Sequence, residues 1–361
     1  MIVLKNKDVH TSVIFITQSC NMKCDYCYVK QDNLDISTEV LRRGLRFFLH
    51  CDGNIKKIFF VGGEPFTKID LLDEAWRMIN LLRKEFAHKT ILTTINTNGT
   101  ILNDRILRFI KHLDYIAVSL DGREPTHNLH RRYHNGRGTF SKVLRNFNRI
   151  KKTYPQKLII NKIVTSRNVY SVFEDTLFLA GLKPKFIFLN VALGDLGWSN
   201  KKVDALFRNA DKLYRWIKGR WKDRSIRQMF QLLFKPVVHE CPMTHVSIDT
   251  DGKIYPCEIL LSRKEDTIGN LILDYIRPDI VYCKFSDNDE RCAKELCREC
   301  NQICRKVRFD SWPRKPYSQE GLRWLEQAMG FQSFFWRQHK KDSGISVSGG
   351  DDMLRSALES L

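Results

Sequence analysis

The sequence predicts an α/β protein, a partial (β/α)6 barrel followed by a small cysteine-rich domain. Short apolar runs rich in β-formers alternate with helical periodicity from residue 11 to about 195, which is typical of parallel strands covered by helices. Seven cysteines then lie between residues 241 and 304, and such clusters usually bind metal. The chain is 43% hydrophobic and 28% charged, as in ordinary globular proteins, so disorder is excluded.

Six strands are predicted by β-branched and aromatic runs that end in turn residues. They are TSVIFIT (11–17), KKIFFVG (56–62), ILTTINT (91–97), DYIAVSL (114–120), KLIINKIVT (157–165) and KFIFLNVAL (185–193). Helical periodicity predicts crossovers near 38–51, 70–87, 103–112, 139–153 and 169–181. A complete eight-unit barrel takes about 250 residues, and the alternation fades after residue 195, so the barrel is predicted to be partial.

The rest of the chain divides by composition. We predict a barrel over 1–195, a helical connector over 196–240, a cysteine-rich domain over 241–310, a C-terminal helix over 311–340, and a flexible linker with a short terminal helix over 341–361. In the connector, an apolar stripe at helical spacing predicts a core-facing helix; it comprises Val203, Leu206, Phe207, Ala210, Leu213, Tyr214 and Ile217. IDTDGKIYPC predicts a hairpin that turns at Asp251 and Gly252, where a positive φ is needed.

Cysteine usage and net charge indicate the cellular compartment and the class of partner. The first twenty residues contain no apolar run long enough for a signal peptide or a membrane span. Eleven cysteines, an odd number gathered in clusters, favour metal binding in the cytoplasm over disulfides. The formal net charge of +19 favours anionic partners, whether nucleic acid, acidic peptide or phosphorylated ligand.

Three of the cysteines, Cys20, Cys24 and Cys27, follow the first predicted strand with C-x3-C-x2-C spacing. They therefore lie at the carboxyl end of a strand, where α/β folds place active sites. Structural zinc normally has four ligands, and no fourth lies nearby in the sequence. A four-iron cluster held by three cysteines would keep one iron open to a ligand. The residues alone leave the zinc and iron–sulfur interpretations open.

With the aromatic Tyr26 before its last cysteine, this motif resembles the signature of radical S-adenosylmethionine enzymes. The resemblance implies that the three cysteines hold a [4Fe–4S] cluster whose open iron binds the amine and carboxylate of S-adenosylmethionine. It is firm over residues 11 to about 165 and looser to 195. It is strengthened by further motifs that follow successive strands in the order found in the family.

These motifs imply a set of cofactor-binding residues. Residues 62–65 match the family's GGEP, which contacts the methionine amino group, and Asn98 with Gly99 matches its TNG turn. Residues 119–122 match SLDG, in which Ser119 and Asp121 would face the ribose. His127 with Arg131 resembles H-x3-R, and residues 138–140 resemble GTF. Arg131 would pair with the cofactor carboxylate. The implied cofactor-binding residues are Gly62, Gly63, Glu64, Pro65, Asn98, Ser119, Asp121 and Arg131.

The second cysteine group resembles the SPASM or twitch domain that carries auxiliary clusters in many radical S-adenosylmethionine enzymes. Cys241 and Cys257 have the C-x10-G-x4-C spacing of its opening, but the run after Cys283 departs from the family pattern. The resemblance implies one or two auxiliary [4Fe–4S] clusters, and a zinc site in place of the second stays open. The metal ligands implied by the two groups are Cys20, Cys24, Cys27, Cys241, Cys257, Cys283, Cys292, Cys297, Cys300 and Cys304.

Three residues outside these sets are assigned packing roles. Cys51 ends an apolar helix pattern and is predicted to be a buried free cysteine. His239 and His245 flank Cys241 and are predicted to pack near the metal without ligating it. No catalytic acid or base is predicted.

The resemblance implies an oxidoreductase in which a 5′-deoxyadenosyl radical abstracts hydrogen from an unactivated carbon. We expect a peptide or protein substrate, as for a maturase that crosslinks a ribosomally made peptide through thioether or carbon–carbon bonds; an acidic leader peptide would suit the positive charge. A flavodoxin or ferredoxin is the expected one-electron donor. The alternatives are a formylglycine-forming sulfatase maturase, an enzyme acting on RNA or a small metabolite, and a zinc-bearing nucleic-acid binder without enzymatic activity.

Overall fold

The protein is described from a computed structural model. The structure describes residues 9–192, 195, 197–234, 245–255, 267–276, 335, 338 and 342. The chain divides into two compact units. The first comprises residues 1–120, 127–159 and 240–316, and the second comprises residues 121–126, 160–239 and 317–361.

Strands and helices alternate along the described part of the chain. The strands are β1 (Thr11–Thr17), β2 (Ile55–Gly62), β3 (Thr90–Thr97), β4 (Tyr115–Ser119), β5 (Leu158–Val164), β6 (Phe186–Val191), β7 (His245–Ile248), β8 (Lys253–Tyr255), β9 (Gly269–Asn270) and β10 (Tyr275–Ile276). The helices are α1 (Thr38–His50), α2 (Ile69–Glu85), α3 (Asp104–Ile110), α4 (Glu124–His130), α5 (Phe140–Thr153), α6 (Val172–Gly181), α7 (Asn200–Gly219) and α8 (Arg224–Phe230).

Parallel strands form the sheet of the first unit. The strand order within it is β10-β9-β8-β7-β1-β2-β3-β4, with β1 to β4 parallel to one another. All of β1 after its first residue is buried, as expected for a strand whose two faces are covered. Helix α1 begins at the cap residue Ser37, whose hydroxyl accepts the Val40 N–H. Because β1 to β4 pair in parallel, their carboxyl ends lie at the same edge of the sheet.

The predicted hairpin is present and extends this same sheet. Strand β7 runs parallel to β1, pairing Thr11 with His245 and Ile14 with Ile248. It then turns into the antiparallel strand β8, and Gly252 has φ of 80° in the turn, a conformation that glycine adopts without strain. From its composition, the sequence predicts this hairpin as part of the cysteine-rich domain over 241–310; the β1 strand with which it pairs lies more than two hundred residues earlier.

In the second unit, β5 lies beside β6, and α7 contains the predicted apolar stripe. Its members are buried apart from Phe207, which is half-buried. Asn209 also faces inward, where its side chain accepts the Phe173 N–H and donates to the Val169 carbonyl. These bonds satisfy backbone groups near the start of α6.

The predicted fold class is confirmed. Each of the six predicted strands and five crossover helices is present within a few residues of its expected bounds. Two short helices, α4 and α8, were not predicted; both lie in charged segments without a long apolar stripe. No helix among the described residues is long and apolar enough to cross a membrane.

Candidate functional site

The three N-terminal cysteines lie on one loop directly after β1, here called the cysteine loop (residues 20–28). Cys20 and Cys24 are half-buried and Cys27 is exposed. The Cys27 N–H donates to the Cys24 carbonyl. The Met22 N–H donates to the Cys20 sulfur at 3.4 Å. Local backbone bonds therefore shape the loop.

A segment of residues 127–138 holds the cysteine loop from one side. The Lys23 N–H donates to the Arg132 carbonyl at 2.8 Å, and Met22 pairs with Tyr133 in an isolated β-bridge. His134 Nε2 donates to the Cys20 carbonyl at 3.0 Å. These contacts bring the H-x3-R motif to the cysteines, as the resemblance requires.

Side chains strengthen this contact. His130 is buried and its Nδ1 donates to the Asp25 carboxylate at 2.6 Å. The His130 ring also packs against Tyr26, with centroids 5.3 Å apart. The Arg131 guanidinium lies 5.4 Å from the centre of the same Tyr26 ring, within the range of a cation–π contact. Tyr26, chosen from the sequence as part of the motif, therefore contacts both residues at the end of α4.

The H-x3-R and GTF motifs form one hydrogen-bonded unit. Thr139 Oγ1 donates to the Arg131 carbonyl at 3.0 Å and lies 2.9 Å from His127 Nε2. Because the Thr139 proton is already used, His127 Nε2 must be the donor. The Asn128 side-chain oxygen accepts the N–H groups of Thr139 and Phe140. The sequence identified both motifs but not this bond between them.

The GGEP turn (residues 62–65) contacts the end of β1 and Ser19, directly before the cysteine loop. The Gly63 N–H donates to the Thr17 carbonyl and the Glu64 N–H to the Ser19 carbonyl, each at 2.9 Å. A Cβ on Gly62 would lie 2.1 Å from the Thr17 oxygen, and one on Gly63 would lie 2.2 Å from the Ser19 oxygen. The glycines are thus needed for backbone packing against the end of β1.

Glu64 is completely buried, and its carboxylate joins the ends of β2 and β3. Oε1 accepts from the Phe66 N–H and the Thr97 hydroxyl, and Oε2 accepts from the Asn98 N–H at 2.7 Å. Burial raises the pKa of this carboxyl to about 7, although hydrogen bonds from Asn98, Thr97 and Phe66 favour the charged form. Pro65 follows as a buried residue at the start of a 3-10 turn.

Asn98 extends from this carboxylate to the cysteine loop. Its side-chain nitrogen donates to the Asn21 side-chain oxygen at 2.8 Å and lies 3.8 Å from the Cys20 sulfur. Burial raises the pKa of the Cys20 thiol to about 11; the charges of Glu64 and Cys27 add to the rise, and the N–H groups of Met22 and Asn98 oppose it. Asn98, predicted as a cofactor contact, thus lies directly beside a predicted cluster ligand.

Ser119 and Asp121 differ in their surroundings. Ser119 is half-buried at the end of β4. Asp121 belongs to the second unit and is completely buried; its carboxylate accepts the Ile163 N–H at 3.0 Å and its carbonyl accepts from the buried Lys162 amine. These bonds give Asp121 a structural role, and its contact with a ribose stays a prediction.

Two polar groups that sequence reasoning missed lie in the second unit around Asp121. Asp175 and Lys162 are both completely buried. The Asp175 carboxylate accepts from the Arg123 N–H and Nε and from the Thr126 hydroxyl. A Cβ on Gly122 would lie 2.4 Å from the Asp175 Cγ. A charged residue inside the apolar run LIINKIV was the sequence signal for Lys162.

A further missed contact joins β1 to the β7–β8 hairpin in the first unit. The Gln18 side-chain nitrogen donates to the Asp249 carboxylate at 3.0 Å and to the Thr250 hydroxyl. Burial raises the pKa of the Asp249 carboxyl. His245 is half-buried with Nε2 at 3.2 Å from the Ser247 hydroxyl, and Cys51 is buried as predicted.

The geometry agrees with a comparison against protein families. The model of the radical SAM superfamily matches residues 14–169. This chain carries a radical SAM domain. The matched residues include the cysteine loop, the GGEP turn, Asn98, Ser119 and Arg131, so each implied cofactor-binding residue lies inside the matched range.

Two proteins of known sequence align with this chain over different lengths. An uncharacterized protein of Methanocaldococcus jannaschii is 29% identical over 177 residues, which is 48% of this chain and 60% of that protein, less than two thirds of its length. The cysteine-type anaerobic sulfatase-maturating enzyme of Clostridium perfringens is 24% identical over 345 residues, 82% of this chain and 89% of that enzyme. The radical SAM match over residues 14–169 indicates an enzyme, and the reaction that this domain implies is a redox reaction.

Solved structures share the fold. Native anSMEcpe with bound AdoMet and Cp18Cys peptide has a TM-score of 0.65 at 21% identity, covering 93% of this chain and 99% of that one. Streptococcus suis SuiB bound to precursor peptide SuiA has a TM-score of 0.55 at 17% identity, covering 78% and 68%. The chain has the radical SAM partial barrel fold.

The radical SAM domain implies S-adenosylmethionine and a [4Fe–4S] cluster as cofactors. Among the described residues, no three His, Cys, Asp or Glu side chains lie close enough together to hold a single metal ion. A four-iron cluster does not need such convergence, because each thiolate binds a different iron. Three cysteines within eight residues of one loop, which bonds to residues 132–134 and follows the residues that the GGEP turn contacts, fit that group.

The second cysteine group cannot be placed in the same way. Cys241, Cys257, Cys283, Cys292, Cys297, Cys300 and Cys304 lie outside the described residues, as does His239. The auxiliary clusters and their ligands stay predictions.

Proposed function

We propose that this protein is a radical SAM enzyme that modifies a side chain of a peptide or protein, with Cys20, Cys24 and Cys27 as the ligands of its [4Fe–4S] cluster. The observation that carries the proposal is that the cysteine loop bonds to residues 132–134, next to the H-x3-R motif, while the GGEP turn bonds to Thr17 and Ser19 directly before the loop. Each of the two flanking motifs is one that this family uses to bind S-adenosylmethionine. In the zinc-binding alternative, neither motif has an assigned task.

When bound, the cluster and S-adenosylmethionine together supply a 5′-deoxyadenosyl radical, which takes hydrogen from an unactivated carbon. The chain's own residues are proposed to bind S-adenosylmethionine and to hold it in position. Arg131 is 6% exposed and lies over the Tyr26 ring. Its guanidinium is proposed to pair with the methionine carboxylate, because the planar group can donate two parallel hydrogen bonds to a carboxylate. Ser119 and the GGEP backbone are proposed to bind the ribose and the methionine amine. Holding the target C–H in reach is worth about 7 kcal/mol or more in such steps.

A peptide substrate is supported by two relatives. One solved relative was captured with AdoMet and a Cp18Cys peptide, and another with a precursor peptide. The sequence predicts a maturase that crosslinks a ribosomally made peptide. A leader rich in Asp and Glu would be attracted by the net charge of +19. A flavodoxin or ferredoxin is proposed as electron donor, and the cytoplasm as the compartment.

Formylglycine formation is the second candidate, and a specific observation favours it. The alignment with the Clostridium perfringens sulfatase-maturating enzyme covers 89% of that enzyme and so extends far beyond the radical SAM domain. The second cysteine group, Cys241 to Cys304, is proposed to hold auxiliary clusters of SPASM type, which would supply the electron acceptor that a net oxidation needs.

Product analysis separates these candidates. Anaerobically reconstituted protein, reduced and supplied with S-adenosylmethionine, is expected to release 5′-deoxyadenosine. It would be given sulfatase-derived peptides with Cys or Ser at the target position, precursor peptides encoded beside its gene, and RNA, and each product would be read by mass spectrometry. Aldehyde formation supports the maturase of sulfatases, and loss of hydrogen with a new crosslink supports the peptide maturase. Protein that binds zinc but no iron would overturn both.

A further inference from the structure

Asn98 is held in one orientation by a closed set of hydrogen bonds. Its side-chain oxygen accepts from the Thr100 N–H at 2.9 Å and from the Thr100 hydroxyl at 2.7 Å. The Thr100 hydroxyl in turn accepts from the Asn21 side-chain nitrogen, and the Asn21 side-chain oxygen accepts from Asn98. A backbone N–H can only donate, so the Asn98 oxygen must face Thr100 and its nitrogen must face the cysteine loop.

The amide nitrogen has two hydrogens and two acceptors within reach. One acceptor is the Asn21 oxygen at 2.8 Å, and the other is the Cys20 sulfur at 3.8 Å. The Asn98 side chain is 7% exposed, so water competes little for its second hydrogen. The backbone of Asn98 is fixed as well, since its N–H donates to Glu64. A rigid, buried N–H donor therefore points at this one sulfur.

We propose that Asn98 is a positioning residue whose side chain donates to the Cys20 thiolate and raises the reduction potential of the cluster that Cys20 binds. The inference rests on the proposed function, in which Cys20 is a cluster ligand. Reduction adds negative charge to the cluster, and a hydrogen bond to a ligand sulfur favours the more negative form. The Asn98 and Met22 donors thereby ease entry of the electron.

Asn98→Ser tests the inference, and Asn146→Ser is its matched control. A serine at 98 can still accept the N–H two residues on, but its side chain is too short to donate to Cys20. Asn146 is equally buried and supports the same turn by donating to the Gly99 and Thr100 carbonyls, without a bond to sulfur. Both variants lose one buried carboxamide, and Asn98→Ser alone loses a donor to the cysteine.

The measurement is an EPR-monitored redox titration of anaerobically reconstituted full-length protein. The signal that changes on addition of S-adenosylmethionine identifies the N-terminal cluster. Asn98→Ser is expected to shift its midpoint potential to a more negative value, with iron content unchanged, and Asn146→Ser is expected to match wild type. Asn98→Asp keeps the shape of the side chain and adds a negative charge, so it is expected to shift the potential further in the same direction. It replaces Asn98→Ser in the experiment if the serine variant assembles no cluster.

Two results would overturn the inference alone: a wild-type potential in the Asn98 variants, or an equal shift in Asn146→Ser. A wild-type protein with no cluster that responds to S-adenosylmethionine would instead overturn the proposed function. The two failures are thus distinguishable in one set of samples.

Discussion

Glu64 Oε2 accepts the backbone N–H of Asn98 at 2.7 Å, so a carboxylate at the end of β2 fixes the first residue after β3. The same carboxylate holds Thr97 and Phe66. Glu64 has no solvent exposure, and its carboxylate bonds to residues at the end of β3, directly after β3 and in the turn that follows β2. Glu64 therefore fixes the ends of β2 and β3 relative to each other.

Replacement of Glu64 by Gln is expected to destabilise the apo-protein. The carboxamide places an N–H group where Asn98 needs an acceptor, and a buried unsatisfied donor costs about 1–3 kcal/mol. In wild type, the pKa of this carboxyl is raised from 4.5 to about 7, so the folded state holds more protons than the unfolded state between those values. Its contribution to stability therefore falls as pH rises through that window.

Urea unfolding of wild type and Glu64→Gln at about pH 5 and about pH 8 checks this. The gap between the two proteins should be larger at the lower pH, because only wild type carries the buried charge at the higher one. A gap that does not change with pH would contradict the assignment of a raised pKa to Glu64.

Gly63→Ala is expected to distort the cysteine loop. The added Cβ would lie 2.2 Å from the Ser19 carbonyl oxygen, and such overpacking costs about 1–3 kcal/mol or more. Gly181→Ala is the matched control, because no atom lies within 4 Å of its Cβ. We expect a lower unfolding midpoint and less iron after reconstitution for Gly63→Ala, and neither for Gly181→Ala. Equal iron content in both would mean that the loop tolerates the shift.

Much of the fold and the location of the site could be predicted from the sequence. Parallel strands show as apolar runs, and their carboxyl ends meet at one edge, so motifs placed after Thr17, Gly62 and Thr97 had to lie near one another. The contacts themselves depend on loop paths that no local pattern encodes. The His130–Asp25 bond joins residues 105 positions apart, and the β1–β7 pairing spans an even longer loop.

The reason for a residue was also harder to predict than its position. The resemblance assigned residues 62–65 to contact with the methionine amino group, which stays a prediction; the structure shows in addition that Gly62 and Gly63 closely approach the Thr17 and Ser19 carbonyls. Asp121 was chosen as a ribose contact, which stays a prediction, and its observed partners include Ile163 and Lys162. A buried structural carboxylate and a ligand-binding one have the same sequence signal.

Asp175→Asn is expected to weaken the second unit. The variant leaves the buried Lys162 amine without the stronger of the two carboxylate charges, Asp175 and Asp121, that favour its protonated form, and removal of one buried ionic partner costs about 3 kcal/mol or more. Burial opposes ionisation of Asp175, but the charge of Lys162 and bonds from Arg123 and Thr126 outweigh it, so the pKa of this carboxyl is lowered. Its stabilisation is therefore present above its ordinary pKa and is lost as pH falls toward the lowered value.

Asp211→Asn serves as comparison for that measurement, since Asp211 forms an exposed i,i+4 pair with Arg215 worth about 0.3–0.5 kcal/mol. Thermal unfolding at neutral pH should show a clear loss for Asp175→Asn and almost none for Asp211→Asn. Similar small losses in both would mean that Lys162 is uncharged in the folded protein.

Peptide affinity is expected to depend on salt. With a net charge of +19, an acidic synthetic peptide should bind more weakly as ionic strength rises, because the Debye length shortens from about 10 Å at 0.1 M to about 3 Å at 1 M. A neutral peptide of the same length is the control. Equal affinity for the acidic peptide at low and high salt would argue against recognition by charge.

Alanine in place of Cys20, Cys24 or Cys27 is expected to remove one cluster's iron and to abolish cleavage of S-adenosylmethionine, because each thiolate is proposed to hold a different iron. Cys51→Ala provides the control, since Cys51 is a buried thiol whose sulfur donates to the Phe47 carbonyl, one helical turn earlier. Loss of the Cys51 sulfur leaves a small cavity and lowers stability without touching the loop. Iron content and 5′-deoxyadenosine release would be measured on the four variants side by side. Cleavage of S-adenosylmethionine that survives in all three loop variants would show that the cluster is bound elsewhere.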